Sequence, residues 1–439
     1  MIDQASGQVV ALAGFADKVV AASIGPDDVI YLVSRRDAPH GRLLSLSLGD
    51  ALKVASPLSA AKVLVPESDG AIEGGGETGS KAVVVTPTAL YMREQVGGPS
   101  RVSIYHHDGS PAGTIPMPGI ASVSEVEPTG DGHVLAVVET YLQPERIVRY
   151  DEVTGTVDNT MLASTSPAKF DDIEVVREFA ISKDGTKVPF NIVQKKGLVR
   201  DGSHPTLLYG YGGYGISEEP RFVGPQIRVW LDAGGVFVDT NLRGGEEYGE
   251  NWHAQGALTH KQNVFDDFLA VAHRLVNEHI TAPAHLAIEG GSNGGLLMGA
   301  ALTQAPQLFR AVVSLVGLYD MTRIELDPNG AFNATEFGSV KDPAQFRAML
   351  AYSPYQAVRD GVHYPAVFMA TGTHDGRVNP AQSRKMIARL QAATSGDPVY
   401  LSISDKAGHG IGSSMSVRVE KQADIMSFAM DQLGMTLPN

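Results

Sequence analysis

The sequence predicts an α/β chain that begins with an all-β part, and three observations carry that prediction. Over the first 165 or so residues, short β-like runs alternate with Gly, Pro and Asp turns and show no good helix pattern between them. Beyond about residue 172, strand-like apolar runs alternate with helical periodicity. Within that second part, Gly290-Gly291-Ser292-Asn293-Gly294-Gly295 stands between a strand (Leu286 to Ile288) and a small-residue helix start (Leu296 to Ala301). The boundary falls between Ser164 and Asp172 and divides the chain into residues 1–168 and 169–439.

The β-like runs of the first part are Val29 to Val33, Leu43 to Leu48, Lys81 to Val85, Val102 to Tyr105, Val134 to Val138 and Arg146 to Tyr150. They fall into three blocks, near 16–64, 65–118 and 119–165, a spacing suited to four-stranded propeller blades. The second part opens with strands at Thr206 to Tyr209 and Val236 to Asp239. A helix follows, with Phe265, Phe268, Leu269, Ala272, Leu275 and Val276 on its apolar face, and then the serine-bearing turn.

A serine on a sharp strand-to-helix turn is a nucleophile elbow, and strand and helix pass closely only where the residues two before and two after it are small. Gly290 and Gly294 satisfy that demand, so Ser292 is the candidate nucleophile. On the α/β-hydrolase plan an acid and then a histidine follow on later strand ends. Ala366 to Ala370 reads as a buried parallel strand running into Thr371-Gly372-Thr373-His374-Asp375-Gly376-Arg377, which makes Asp375 the candidate acid. Asn379 and Pro380 then cap a helix with Met386, Ile387 and Leu390 on one face. The strand Val399 to Ile403 leads into Lys406-Ala407-Gly408-His409-Gly410, which makes His409 the candidate base. Taken singly, Asp375 is also an Asp-Gly turn residue and His409 one loop histidine among thirteen; their order on successive strand ends is what favours the triad.

From about Asp171 onward the chain resembles the catalytic domain of the prolyl oligopeptidase family of serine peptidases. The matching segments are Ser182 to Lys187, Leu208-Tyr209-Gly210-Tyr211-Gly212-Gly213-Tyr214, Arg243 to Glu246 with Tyr248-Gly249, Lys261 to Asn263 with Asp266 to Phe268, the elbow, and Lys406 to Gly410. The resemblance implies an α/β-hydrolase domain beside a β-propeller, with Ser292, Asp375 and His409 as the triad. His409 would take the Ser292 proton during attack on a carbonyl carbon, and Asp375 would hold its tautomer. The elbow itself offers the backbone N–H of Asn293 to the oxyanion. The resemblance implies the Tyr211 hydroxyl as a second donor, whereas without it Tyr211 reads as a packing residue. It also implies that Arg377 binds a substrate carbonyl, the alternative being a surface ion pair of small value.

One position departs from the family. Aligning Thr335 to Gly338 puts Asn333 where proline-specific members carry a tryptophan that stacks on the substrate proline, with Phe332 one residue out of register. Tyr214, Phe337 and Val378 match apolar or aromatic pocket positions, so a moderately apolar S1 pocket without strict proline specificity is expected. Glu336 matches an acidic residue that the family carries without basic specificity, and it reads as structural.

The 439 residues, 43% hydrophobic and 19% charged, are enough for two cores. The 48 glycines exceed the usual ~7% and fit many tight turns. A net charge of −14 with no basic stripe argues against nucleic acid or an anionic membrane as partner. Zero cysteines exclude disulfides, thiolate metal sites and a cysteine nucleophile, and the thirteen histidines form no close-spaced ligand set, so neither metal nor cofactor is expected. No apolar run approaches the ~18 residues of a membrane span, and Met1-Ile2-Asp3-Gln4 lacks a basic and apolar leader pattern, which reads as cytoplasmic with prior removal of a leader left open.

Three blade-like blocks are fewer than the family's closed propeller, so the chain reads either as a short natural protein or as a fragment. Open blade edges predict a homo-oligomer and a wide active-site entrance. The function expected is a serine hydrolase of short peptides or amides acting through an acyl-enzyme. A carboxylesterase on the same triad is the closest alternative, and a catalytically idle binding scaffold a distant one.

Overall fold

The computed structural model describes residues 7, 9, 11–53, 56–74, 81–394, 396–410 and 414–437, so the leader reading of Met1 to Gln4 lies outside the described residues. The chain forms two compact units. The first comprises Met1–Ser166 with two short later segments, Glu219–Phe222 and Glu246–Asn251; the second comprises the remainder. The two inserted segments join the first unit through polar contacts that no linear division of the sequence anticipates. Gln95 Nε2 donates to Glu219 at 2.7 Å, Ser122 Oγ to the Pro220 carbonyl at 2.7 Å, and the Gly97 N–H to the Glu247 carbonyl at 2.9 Å.

The first unit is built from three antiparallel sheets, the propeller-like pattern that the three blocks predict. The first holds β1 (Val19–Ile24), β2 (Val29–Ser34), β3 (Arg42–Ser47) and β4 (Lys62–Val65). The second holds β5 (Ala71–Ile72), β6 (Val83–Val85), β7 (Leu90–Gln95), β8 (Ser100–Tyr105) and β9 (Pro111–Thr114), with β7 at its centre. The third holds β10 (Ala121–Pro128), β11 (His133–Thr140), β12 (Arg146–Asp151) and β13 (Val157–Ala163).

Period-2 alternation explains how the sheets stack. Leu90 and Met92 of β7 enter a core with Tyr31, Val33 and Leu43 of the first sheet. Tyr91, between them, enters the core shared with Val123, Val134, Ala136 and Val148 of the third. Both faces of β7 are thus covered, and even its charged end is buried: Glu94 accepts from Arg101 Nε and from Ser68 Oγ, each at 2.9 Å. The charges Arg93 and Glu94 are why this run did not register as a strand in sequence. Leu48, read as the end of a strand, instead begins a short helix, Leu48–Ala51.

The second unit is organised on one eight-stranded sheet ordered β14-β15-β17-β16-β18-β19-β20-β21. Its members are β14 (Ile173–Ile181), β15 (Lys187–Lys195), β16 (Thr206–Tyr209), β17 (Val236–Thr240), β18 (Leu286–Gly291), β19 (Ala311–Leu315), β20 (Ala366–Gly372) and β21 (Val399–Ser404). The first two pair antiparallel, and β17 through β21 run parallel with β16 inserted between β17 and β18. The chain therefore reverses its direction of winding at β16 and β18, and the crevice outside the carboxyl ends of such a pair is where open parallel sheets place ligands.

The helices cover this sheet. Helix Gln262–Asn277 buries Val264, Phe265, Phe268, Val271, Ala272 and Leu275, while Leu269 and Val276 of its expected face are half-buried. Helix Asn293–Gln304 is apolar on every side because it is buried on every side. An ionic cluster centred on the buried Arg243 braces the antiparallel end: Arg243 donates to buried Asp267 at 2.6 and 2.9 Å, to Ser182 Oγ at 3.2 Å, and to the exposed Asp184 in the turn between β14 and β15. The family segments around Ser182, Arg243 and Asp267 thus meet in space.

Candidate active site

The site is assembled where the chain leaves the carboxyl ends of β16, β18, β20 and β21. Ser292 follows β18 with φ 59 and ψ −116, the strained conformation that the elbow requires. Its N–H is anchored to the Leu315 carbonyl of the neighbouring strand at 2.8 Å. The turn closes only without side chains on either flank: a Cβ on Gly290 would meet the Gly294 carbonyl oxygen at 2.6 Å, and a Cβ on Gly294 would meet that of Gly210 at 2.6 Å. The small-residue demand read from sequence is therefore a three-way backbone contact that includes the loop after β16.

His409 stands in the loop after β21, with its Nε2 3.0 Å from Ser292 Oγ and its Nδ1 2.7 Å from Asp375 Oδ2. Asp375, in the loop after β20, is buried. Its second oxygen accepts from the backbone N–H of Arg377 and of Val378, each at 2.9 Å. Burial alone would raise the Asp375 carboxyl, but His409 and these N–H groups outweigh it and hold it below the usual carboxylate range. One oxygen is thus fixed by the backbone and the other by the imidazole. That arrangement can deprotonate a hydroxyl and return the proton to a leaving group.

The loop after β16 brings Tyr211 to the same point, near enough for the Ser292 side chain to act on its hydroxyl. Burial pushes that phenol up to about 12, with Ser292 and Arg377 pulling the other way, so it stands as a neutral donor. Asn293 opens the buried helix, so its N–H has no acceptor within that helix. Its side chain donates to the Tyr211 carbonyl at 2.6 Å, joining the two candidate oxyanion donors directly. Arg377 is exposed, forms no ion pair among the described residues, and lies close enough for its charge to act on Tyr211 and Tyr214.

Three of the residues expected to line S1, Tyr214, Asn333 and Phe337, also come together. The Tyr214 hydroxyl donates to Asn333 Oδ1 at 2.9 Å, and its ring stacks on Phe332 (5.4 Å, 6°) and meets the edge of Phe337 (5.7 Å, 85°). Phe332, out of register in the alignment, is half-exposed and belongs to this aromatic group. Val378 and Phe337 are buried.

Lys261 lies in one of the family segments, and the structure gives it a place. It is fully buried, and its Nζ donates to the Gly212 carbonyl at 2.9 Å and to Glu336 Oε1 at 2.7 Å. His253 meets the other Glu336 oxygen at 2.8 Å. Burial raises the Glu336 carboxyl, but the Lys261 ammonium and His253 outweigh it and hold it at about 2. Glu336 is therefore structural, as read, and its partners are too distant in sequence for spacing to reveal them.

Comparison with known proteins follows the same lines. A family model described as the prolyl oligopeptidase family matches residues 221–436. A prolyl endopeptidase of Elizabethkingia meningoseptica is 34% identical over 433 residues, 96% of this chain and 58% of that protein. Among solved structures, a prolyl endopeptidase superposes with a TM-score of 0.85 at 36% identity, over 94% of this chain and 60% of its own. Prolyl oligopeptidase B from Galerina marginata superposes at 0.84 and 28% identity, over 95% and 58%. The chain spans just over half the length of these relatives.

Removing one partner of a buried ion pair costs ~3–5 kcal/mol, so Lys261→Met should lower urea-unfolding stability by about that much, and Lys261→Met with Glu336→Leu should recover part of it. Because the folded Glu336 carboxyl lies at about 2, below its unfolded value, its contribution is present above pH ~4.3 and is lost as pH falls through about 2. Glu336→Gln should flatten the acid limb of the stability profile, and an unchanged limb would exclude this carboxylate as its source.

Proposed function

The chain belongs to the prolyl oligopeptidase family, and on that premise we propose that it is a serine hydrolase of short peptides or peptide-like amides acting through an acyl-enzyme. One observation carries the proposal: the hydrogen-bonded series from Ser292 Oγ through His409 to Asp375, with contacts of 3.0 and 2.7 Å. Ser292 is the nucleophile, His409 the general base and then acid, and Asp375 the group that fixes the imidazole tautomer and stabilises its charged form. The tetrahedral oxyanion is received by the Asn293 N–H and the Tyr211 hydroxyl. Arg377 binds a carbonyl of the substrate chain. Tyr214, Asn333, Phe337 and Val378 line S1, and a polar Asn333 in place of a stacking indole relaxes proline preference. Aryl esters with better leaving groups enter the same cycle.

Nucleophile and base act as a unit, so Ser292→Ala and His409→Ala should each reduce turnover by roughly a thousandfold or more. A fluorophosphonate probe should label the intact protein at Ser292 alone, and labelling that survives in Ser292→Ala would overturn the assignment.

Losing one oxyanion donor costs ~10²–10³ in turnover. Tyr211→Phe removes only a hydroxyl and should show that loss on an amide substrate. A kcat equal to that of the unmodified enzyme would make Tyr211 a packing residue.

The first unit exposes apolar side chains on outer strands, among them Val63 on β4 and Met161 and Leu162 on β13. Unpaired apolar edges favour pairing with another copy. Light scattering at micromolar concentration should give at least twice the 46.5 kDa chain mass, and a stable monomer would contradict this.

A further inference from the structure

Among the described residues, two buried polar groups beside the aromatic cluster lack partners. Asn333 is 3% exposed; its oxygen is taken by the Tyr214 hydroxyl, and its Nδ2 has no hydrogen-bond partner. Tyr352 is 2% exposed, its ring packs on Phe265 at 5.2 Å, and its hydroxyl is equally unpartnered. Tyr352 shares the buried cluster of Phe337, against which Tyr214 packs, and the Glu336 carboxylate acts on its hydroxyl. Buried donors are nearly always satisfied, and two orphans in one neighbourhood point to a ligand that completes them.

The rest of the pocket narrows what that ligand is. The rings of Tyr214, Phe332 and Phe337 pack together beside these groups and offer flat surfaces to a planar group. Nδ2 needs an acceptor, while the phenol oxygens can accept as well as donate. A proline ring offers neither. Lysine and arginine side chains cannot accept, and the carboxylate that would attract them, Glu336, is committed to Lys261 and His253. Aspartate and glutamate accept only, so they cannot donate to the phenol oxygens. A primary carboxamide is planar, accepts at its oxygen and donates at its nitrogen.

We infer that S1 is built for a P1 side chain bearing a primary amide, glutamine or asparagine, whose carbonyl receives Asn333 Nδ2 and whose amino group reaches the Tyr214 and Tyr352 oxygens. This rests on the hydrolase reading above and assigns the P1 residue of its substrate.

The test is kcat/KM for acyl-dipeptide p-nitroanilides that differ only at P1: Gln, Asn, Leu, Pro, Lys and Glu. Gln or Asn should exceed Leu and Pro by roughly tenfold or more, since a site with buried hydrogen-bonding groups rejects analogues that leave them unpaired. Asn333→Leu should collapse the Gln-to-Leu ratio toward one or below, and the ratio is independent of the folded fraction. If that variant does not fold, Tyr352→Phe, which deletes a single hydroxyl, should lower the same ratio. A wild-type ratio at or below one, or a ratio that neither substitution changes, overturns the inference. Fluorophosphonate labelling at Ser292 separates the two failures: labelling without amide preference sinks only the P1 assignment, whereas no labelling and no turnover of any substrate sinks the hydrolase reading with it.

Discussion

The buried ammonium of Lys261 is the constraint on which the geometry of the site depends. It holds the Gly212 carbonyl, one residue beyond Tyr211, and the Glu336 carboxylate, on the helix Gly330–Phe337 that carries Asn333 and Phe337. Two separate segments are therefore referred to one point charge. A buried ion pair is weak evidence for stability, because desolvation offsets most of the Coulomb gain. Its value here is directional. An apolar replacement could fill the space, but it could not fix the separation between the tyrosine loop and the pocket helix. The backbone-to-backbone packing of Gly210, Gly290 and Gly294 does the same between that loop and the elbow, so Tyr211 is located from two sides.

How much of this was legible in the sequence depended on how local each requirement is. The elbow was readable because its steric demand falls on residues within two positions of Ser292. Asp375 and His409 were readable because the parallel sheet puts successive strand ends at one crevice, so order along the chain stands in for proximity. The Lys261–Glu336 pair, 75 residues apart, left no spacing signal. Asn333 was read as a lost aromatic contact, since a sequence shows which side chain is present but not whether its hydrogen bonds are filled. Tyr352 gave no sign at all, because a lone tyrosine in a helix looks like core until its hydroxyl is seen to lack a partner. In the β-rich unit, strands with clean apolar runs were found, while β7 was missed because half of its residues are polar and are buried by pairing.

The two units solve the burial of polar groups differently. In the first, charged pairs such as Glu94 with Arg101 sit within a sheet, where cross-strand spacing supplies the partner. In the second, the partners of Arg243 and Glu336 come from distant segments, and each cluster ties three or more parts of the chain together. Such clusters carry no information about reaction type, but they hold the loops whose residues do.

The hydrogen bond from Asn293 to the Tyr211 carbonyl has a kinetic meaning under the proposed mechanism. It joins the residue whose N–H faces the reacting centre to the residue whose hydroxyl faces it, so the two dipoles keep their spacing with no substrate present. Water around a developing negative charge must turn its dipoles at each reaction event, and that turning is part of the barrier in solution. Under that mechanism the corresponding alignment is completed once, when the chain folds, and each turnover would begin with it already done.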